Sequence, residues 1–289
     1  MRLVAIALAL TGCYPKHPAI APDEVVALEA LNTELDDYNA AQPRSWHQMV
    51  YSSNRGSQGA HLDMWITELD WRPPFRLVRT PVVYAPQLAS NADERGPIRF
   101  FDDVNNRMAV LFASDREGGA GGLDLYLAGE RDDAPVRLAE LSTSANEAYL
   151  TLPYGTQALF ASDRGGAGWD LYEVTWTEPR VDAPVAKIDR VAVLSSEAED
   201  HAPYVEPETG YVVFASRRDG GRGGSDVWCS RGSDGRWAPP QPMTRVNSPA
   251  DEFRPSIARI DDVAFLVFSS NRAGGKGGFD LYTTKFDGC

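Results

Sequence analysis

The sequence predicts an all-β protein, a five-bladed β-propeller of four-stranded blades in which an N-terminal strand closes the ring. Three observations predict this fold. A strand-like block recurs five times, a second block follows each copy at a nearly constant distance, and a segment near the start matches the outer strand of a unit. The 25 glycines and 20 prolines fit a chain with many turns.

The first block consists of two aliphatic residues, an aromatic residue, a small residue and Ser-x-Arg, with alanine at one aliphatic place in the third copy. A short apolar run bounded by polar residues and glycine is typical of a strand covered on both faces. The copies occupy residues 49–55, 110–116, 158–164, 212–218 and 266–272. Their arginines are 61, 48, 54 and 54 residues apart, a few residues above the usual length of a WD-type blade.

The second block is Asp, an aliphatic residue and an aromatic residue. It begins eight residues after the arginine in four copies and six residues after it in the third. The loop between the blocks is rich in glycine, which favours a hairpin over a helix. Because the arginine ends one strand and the aspartate begins its partner, we predict a structural ion pair across each loop. The predicted pairs are Arg55 with Asp63, Arg116 with Asp124, Arg164 with Asp170, Arg218 with Asp226 and Arg272 with Asp280.

The fifth unit is predicted to take its outer strand from the start of the chain. Only seven residues follow Tyr282, which leaves no room for that strand. Val26–Leu31 precedes an acidic turn, as does 136–141, which is the predicted outer strand of another unit. We therefore expect Val26–Leu31 to complete the last blade and remove an exposed edge. A helix over Val25–Leu35, capped by Asp23, is the alternative.

Residues 1–12 have the pattern of a lipoprotein signal peptide. Arg2 gives a positive start, residues 3–10 are apolar, and Leu-Thr-Gly-Cys13 follows. The apolar run is too short to span a bilayer but suits a secretory signal. Leu-Thr-Gly-Cys resembles a lipobox, so we predict a lipid on Cys13; an ordinary signal with an incidental cysteine is the alternative. Residues 13–24 contain three prolines and are predicted to tether a propeller over residues 25–289.

Two cysteines remain, Cys229 in a predicted strand and Cys289 at the last position. A disulfide between them would be possible in an oxidising compartment. Nothing in the spacing brings the two together, so the sequence favours a buried free thiol and a separate terminal one.

The composition excludes several classes of function. A formal net charge of −13 argues against nucleic acid as partner and against a basic membrane-binding patch, which leaves the lipid as the only membrane contact. The four histidines are not at metal-ligand spacing, and no phosphate-binding loop, zinc-protease motif or nucleophile elbow is present. We therefore expect no metal, no cofactor and no catalytic residues, in a monomer.

Acidic turns precede the innermost strand of each unit, on the face that also carries the glycine loops. They predict a ring of carboxylates near the axis that marks the binding face. The candidate residues are Asp93, Glu94, Glu147, Asp200, Asp251 and Glu252. The alternative for any single one is a bond to local backbone or to the neighbouring arginine.

The repeated blocks resemble the WD-like propeller repeat of the TolB family, whose units carry Ser-x-Arg, a glycine loop and Asp-Leu-Tyr in this order. The resemblance covers roughly residues 45–289. The separate N-terminal domain of TolB has no counterpart here, so lipid-anchored envelope proteins and peptidoglycan-associated proteins with this repeat are the closer comparison. The resemblance implies a bacterial envelope protein, and Tyr14 after the cysteine favours the outer membrane.

These observations favour a non-catalytic binding or scaffold module, not an enzyme, that engages an envelope protein or a cell-wall component. The first alternative is a glycoside hydrolase, because five-bladed propellers host such enzymes and use axial carboxylates as acid and base. A sensor propeller of a peptidase is the second alternative. An axial pair of buried, asymmetric carboxylates with perturbed pKa values would distinguish the hydrolase from the binding module.

Overall fold

A computed structural model describes residues 18–41, 47–132, 134–206, 208–233 and 236–289, and it contains five antiparallel sheets arranged as the blades of a propeller. A short strand, β1 (Val26–Ala27), comes first. Blade 1 follows with β2 (Asp37–Ala41), β3 (Gln48–Ser53), β4 (Asp63–Asp70) and β5 (Arg76–Val83). A single 3-10 turn, Pro86–Leu88, leads into blade 2 with β6 (Glu94–Asp102), β7 (Arg107–Ser114), β8 (Asp124–Gly129) and β9 (Val136–Arg137). The prediction of an all-β, five-bladed propeller is confirmed.

The remaining three blades repeat this order from the axis outward. Blade 3 has β10 (Glu147–Ala148), β11 (Gln157–Ser162), β12 (Asp170–Trp176) and β13 (Val185–Arg190). Blade 4 has β14 (Asp200–Glu206), β15 (Tyr211–Ser216) and β16 (Asp226–Ser233), with β17 (Arg236–Trp237) and β18 (Gln241–Pro242) both paired to β16. Blade 5 has β19 (Glu252–Ile260), β20 (Val263–Ser270) and β21 (Asp280–Lys285), and β1 is its fourth strand.

The strand β1 closes the ring as predicted. Val26 pairs with Thr283 and Ala27 with Tyr282, so the two ends of the chain share one sheet. The strand is shorter than the predicted Val26–Leu31, because the chain turns after Leu28, whose N–H donates to Leu281 O. The alternative helix does not form.

The repeated apolar block forms the second strand of every blade and supplies the core. In β7, no side chain of Ala109–Ala113 is more than 2% exposed, because both faces of the strand pack against neighbouring blades. Val50 of blade 1, for example, belongs to one cluster with Val110 and Phe112 of blade 2. Each blade is therefore buried only by its neighbours, and the fold depends on closure of the ring.

A disulfide joins Cys229 of β16 to Cys289, with the two Cα atoms 5.3 Å apart. The expectation of two free thiols is therefore wrong. Sequence spacing could not reveal the pairing, because it arises where the end of the chain passes from blade 5 towards blade 4. Phe286 of this terminal segment packs edge-on against Tyr211 of blade 4.

The predicted signal peptide, the lipidation site Cys13 and the first part of the tether lie outside the described residues. Within the part of the chain that is described, no helix is long and apolar enough to cross a membrane. The described chain begins along one face of blades 1 and 5, where Ala19 N donates to Asp261 Oδ2 and Ile20 N donates to Trp71 O.

Candidate binding site at the propeller axis

Each Ser-x-Arg arginine forms an ion pair with a carboxylate other than the predicted one. Its partner is the first residue of the inner strand in the same blade. Arg116 Nη2 lies 2.9 Å from Glu94 Oε1, Arg164 Nη2 3.2 Å from Glu147 Oε1, and Arg272 Nη2 3.0 Å from Glu252 Oε1. Arg55 pairs with Asp37 and Arg218 with Asp200 in the same way. The predicted ion pairs across the glycine loops are wrong, because the inner strand brings a carboxylate closer to each arginine.

Two further hydrogen bonds and two aromatic rings fix each arginine. Arg272 Nε donates to Ser270 Oγ at 3.1 Å, and Arg272 Nη2 donates to Val246 O of the preceding segment at 2.9 Å. Its guanidinium carbon lies 5.0 Å from the ring centroid of Phe268 and 4.9 Å from that of Tyr282, a cation–π arrangement on two sides. The same contacts recur in the other four blades. In each blade, we call the set formed by this serine, the arginine and the inner-strand carboxylate an arginine clamp.

In three of the five blades, the aspartate of the second block binds backbone N–H groups of its own loop instead of the arginine. Asp280 Oδ2 accepts hydrogen bonds from Lys276 N at 2.6 Å and Gly277 N at 3.2 Å. The other four aspartates also find partners: Asp124 and Asp226 accept two loop amides each, Asp170 pairs with Arg190, and Asp63 lies near His61. A carboxylate three or four residues after a turn is well placed to bind free backbone N–H groups of that turn.

The six candidate binding-face carboxylates have structural partners. Glu94, Glu147, Asp200 and Glu252 belong to the clamps and are 0% exposed. Asp93 Oδ1 accepts from Leu62 N and Asp251 Oδ1 from Ser225 N, both at 2.8 Å, so these two join one blade to the loop of the blade before it. Each of the six carboxylates therefore has a structural partner, as the alternative for single residues expected: the four clamp carboxylates bind within their blades, and Asp93 and Asp251 join neighbouring blades.

The two positions after each clamp carboxylate differ from blade to blade. The first position holds Tyr38, Arg95, Ala148, His201 and Phe253, and the second holds Asn39, Gly96, Tyr149, Ala202 and Arg254. All five residues at the second position have φ between 47° and 60°. In blades 1, 2, 4 and 5 this left-handed residue lies within a bulge of the inner strand, and bulges re-aim the side chains beside them.

Ring contacts show that these side chains meet at the axis. Phe253 of blade 5 lies 5.2 Å from Tyr38 of blade 1, 4.4 Å from His201 of blade 4 and 5.8 Å from Tyr149 of blade 3, measured between ring centroids. Blades 3 and 5 are not neighbours in the ring, so only the axis can bring Tyr149 and Phe253 together. Phe279 of a glycine loop packs edge-on against Tyr38 at 4.8 Å.

We define the axial mouth as Tyr38, Arg95, His201, Phe253 and Phe279. Tyr38, Arg95, His201 and Phe279 are partly exposed, whereas Phe253 at their centre is 8% exposed. Arg95 donates through Nε and Nη2 to Asp93 Oδ2, which fixes its guanidinium. The mouth thus combines three aromatic rings with a held cation and an imidazole.

Burial perturbs the titration of this cluster. Burial, with a smaller effect of nearby Arg217, lowers the pKa of His201 to about 3, so the imidazole is neutral at ordinary pH. Its Nε2 atom is buried without a hydrogen-bond partner. Burial also raises the pKa of Tyr38 well above its usual value. Perturbed titratable groups cluster at functional sites more often than elsewhere.

Sequence reasoning missed the mouth because it followed the residues that repeat. The signal was present one residue later: after the acidic position of each inner strand, the chain carries Tyr, Arg, Ala, His and Phe in turn. Among the described residues, no group of three His, Cys, Asp or Glu side chains could hold a metal ion.

No family model matches the chain, and no curated protein sequence matches it. Several solved structures, however, resemble it in fold. The endo-arabinase from Bacteroides thetaiotaomicron superposes with a TM-score of 0.58 at 10% identity, over 91% of this chain and 98% of that one. The exo-beta-1,3-galactanase from Phanerochaete chrysosporium gives 0.52 at 11%, over 91% and 65%. TolB from Acinetobacter baumannii gives 0.44 at 14% identity, over 88% of this chain, which spans 55% of the length of that protein.

At these identities the similarities show the propeller fold alone. They overturn one expectation, that the chain is not an enzyme. The arabinase and the galactanase share the five-bladed fold, so an enzymatic role is compatible with this architecture. The expectation failed because it treated the absence of familiar motifs as informative, although a fold does not fix a function.

Proposed function

We propose that the chain is a ligand-binding module of the bacterial envelope, in which the axial mouth engages a protein partner or a cell-wall component. One observation carries the proposal: the five-fold repeat breaks at the two axial positions of the inner strands, and the first of these positions supplies four of the five residues of the mouth. Repeated ion pairs serve a scaffold, whereas a recognition site gathers unlike residues at one point. Aromatic and arginine side chains are also the types enriched at the centre of binding surfaces.

The mouth is held in shape before any ligand arrives. Asp93, which holds Arg95, is itself fixed by Leu62 N. Tyr38 is packed between Phe253 and Phe279. Side chains fixed in this way lose little conformational freedom on binding, so their contacts contribute fully to affinity.

We further propose that lipid on Cys13 orients the mouth away from the membrane, in a protein of the TolB-like repeat family attached to the outer membrane. Pro18 is five residues from Cys13, and five residues reach at most about 17 Å. The neighbouring Ala19 is tied to Asp261 in the turn between β19 and β20, at the end of the blade opposite the arginine clamps. The face opposite the mouth would then lie closest to the lipid.

Capture by purified protein tests the binding proposal. Wild-type protein, a double variant of the mouth (Tyr38→Ser, Arg95→Gln) and a control variant on an outer strand (Lys187→Gln) are incubated with detergent-solubilised envelopes and, separately, with purified peptidoglycan. A component retained by the wild type and the control, and lost by the mouth variant, supports the proposal. Equal retention by all three proteins, at equal thermal stability, would refute it.

The lipid proposal has its own test. Cys13→Ser should move the protein from the membrane fraction to the soluble fraction when envelopes are separated. A variant that stays with the membrane would show that another feature anchors the protein.

A second candidate, a glycoside hydrolase, rests on the pKa of two clamp carboxylates. Burial raises the pKa of Glu94 to about 7, against the opposing effects of Ser90 and Arg116, and burial also raises the pKa of Glu252. Such a carboxyl group can carry a proton near neutral pH, as a general acid must. Both are 0% exposed, so a substrate would need to displace the mouth. Hydrolysis of arabinan or galactan by the wild type, abolished by Glu94→Gln, would establish this function.

A further inference from the structure

Below the axial mouth, Arg254 presents a guanidinium group that is completely buried and only partly bonded. Its side chain is 0% exposed, and its Nη1 donates to Pro203 O at 2.7 Å. Among the residues that the structure describes, its Nε and Nη2 have no hydrogen-bond partner. These two atoms form the edge with which arginine usually binds an anion through two parallel hydrogen bonds.

The position of Arg254 is at the centre of the ring. The residue belongs to blade 5, yet its guanidinium carbon lies 5.3 Å from the ring centroid of Tyr149 in blade 3 and it bonds the carbonyl of Pro203 in blade 4. A Cβ atom added to Gly96 of blade 2 would lie 3.6 Å from Arg254 Nε. The same Cβ atom would lie 2.6 Å from Tyr149 Cδ1, so the glycine allows the Tyr149 ring to pack closely beside Arg254.

Within the described part of the chain, no carboxylate forms an ion pair with Arg254. The ten residues at the two axial positions include no Asp or Glu. Burial lowers the pKa of Arg254 to about 10, and the smaller opposing effects come from the phenols of Tyr149 and Tyr204. The clamp carboxylates, which stand two residues before the second axial position, are each bound by their own arginine. A buried cation without a counter-ion is costly, and a bound anion removes that cost.

A second unsatisfied group lies at the equivalent position of the adjacent blade. Asn39 is 0% exposed, and neither its Nδ2 nor its Oδ1 has a partner. Its backbone is fixed by a hydrogen bond from Asn39 N to Ser269 Oγ of blade 5 at 3.1 Å. Arg254 and Asn39 occupy the same place in neighbouring inner strands, and both have unused N–H donors.

We infer that the axis binds a small inorganic anion, of the size and charge of chloride, between the free edge of Arg254 and the amide of Asn39. The complete burial of both side chains excludes a bulky ligand. The anion neutralises Arg254 and satisfies donors on blades 1 and 5, next to the junction where the ring closes.

Thermal unfolding at constant ionic strength tests this inference, with sodium chloride replaced stepwise by sodium gluconate, whose anion is too large for the site. We expect the unfolding midpoint of the wild type to rise by several degrees with chloride, and the rise to saturate. The dependence should vanish in Arg254→Met and weaken in Asn39→Ala. An exposed arginine, changed in Arg236→Met, serves as control and should keep the full dependence.

Broadening of the 35Cl NMR line gives a second readout that needs only folded protein. Wild type and Arg236→Met should broaden the line equally, and Asn39→Ala less, even if Arg254→Met does not fold. Equal midpoints in chloride and gluconate, together with equal line widths for the wild type and Asn39→Ala, would overturn the inference and leave water as the occupant of the axis.

Discussion

Two rings of residues, one position apart in each inner strand, have opposite properties. The clamp carboxylates are always acidic, always buried and always bound to arginine. The next residues are Tyr38, Arg95, Ala148, His201 and Phe253, which share neither charge nor size. The comparison teaches that in a repeat protein the residues that recur identify the scaffold, and the place where recurrence stops identifies the candidate site.

The difference has a physical origin. Each clamp lies inside one blade and the segment that leads into it. Because this local packing is the same in every blade, the same residue types recur there. The axis is a single place that five strands share, so its occupants must be complementary to one another instead of identical. Phe253, for example, stacks on Tyr38 of blade 1 and packs edge-on against His201 of blade 4.

Breaking a clamp should have the largest effect on stability. Arg218→Met keeps much of the apolar stem but leaves Asp200 buried without its partner, so we expect the free energy of unfolding to fall by about 3–5 kcal/mol. Denaturant titration measures this loss. The pair Arg218→Met with Asp200→Asn should recover part of it, since the buried charge is then gone. A double variant as unstable as the single one would show that the ion pair is not the source of the effect.

Two asparagines make the same kind of backbone contact, but only one of them does so where the ring closes. Asn32 exchanges two hydrogen bonds with the backbone of Leu281, at 3.0 and 2.8 Å, and Asn247 exchanges two with that of Val227, at 3.0 and 2.9 Å. Either change to alanine should cost about 1–3 kcal/mol of unfolding free energy, because buried backbone groups lose their partners.

Only Asn32→Ala should loosen the junction of the ring, because its partner is 249 residues away and that of Asn247 is 20 away. Amide hydrogen exchange in β21 measures this opening. Faster exchange there in Asn32→Ala alone is the expected result. The same exchange pattern in both variants would contradict a special role for closure.

The His201 imidazole, whose Nε2 atom is buried at the mouth, should make stability depend on pH. The pKa of His201 is about 3 in the folded protein and near 6.5 in the unfolded chain, so the unfolded state takes up the proton first. Stability contributed by the neutral ring is present above pH 6.5 and is lost as the pH falls towards 3. At pH 5 we expect a loss of roughly 1–2 kcal/mol relative to pH 8.

In His201→Phe, which keeps a ring against Phe253, this part of the pH dependence should disappear, whereas the control His61→Gln should retain it. Denaturation curves at pH 5 and pH 8 provide the measurement. An identical pH dependence in wild type and His201→Phe would show that the imidazole is already protonated or freely hydrated in the folded state.

The sequence predicted the scaffold well because scaffold contacts repeat. The apolar blocks, the glycine loops and the strand that closes blade 5 all follow from period and pattern. The partners of the arginines do not follow from the pattern. Asp124 follows Arg116 across a short loop, whereas Glu94 precedes it by twenty-two residues. Only the fold shows that Glu94 is the carboxylate that approaches the guanidinium group. The Cys229–Cys289 disulfide and the axial cluster depend likewise on contacts between distant segments.

The most direct test of the division between scaffold and site compares two arginines of blade 2. Arg116 binds the clamp carboxylate Glu94. Arg95 directly follows Glu94 in β6, and its side chain is partly exposed. Arg116→Met and Arg95→Met are assayed for thermal unfolding and, at a temperature where both are folded, for capture of the envelope component that the wild type retains.

We predict that Arg116→Met lowers stability by about 3–5 kcal/mol and keeps capture, because a buried ion pair is broken away from the mouth surface. Arg95→Met should change stability by about 1 kcal/mol or less and lose capture, because its ion pair with Asp93 is partly exposed. If Arg95→Met retains full capture, or if Arg116→Met abolishes it while folded, the assignment of the mouth as the binding site is contradicted.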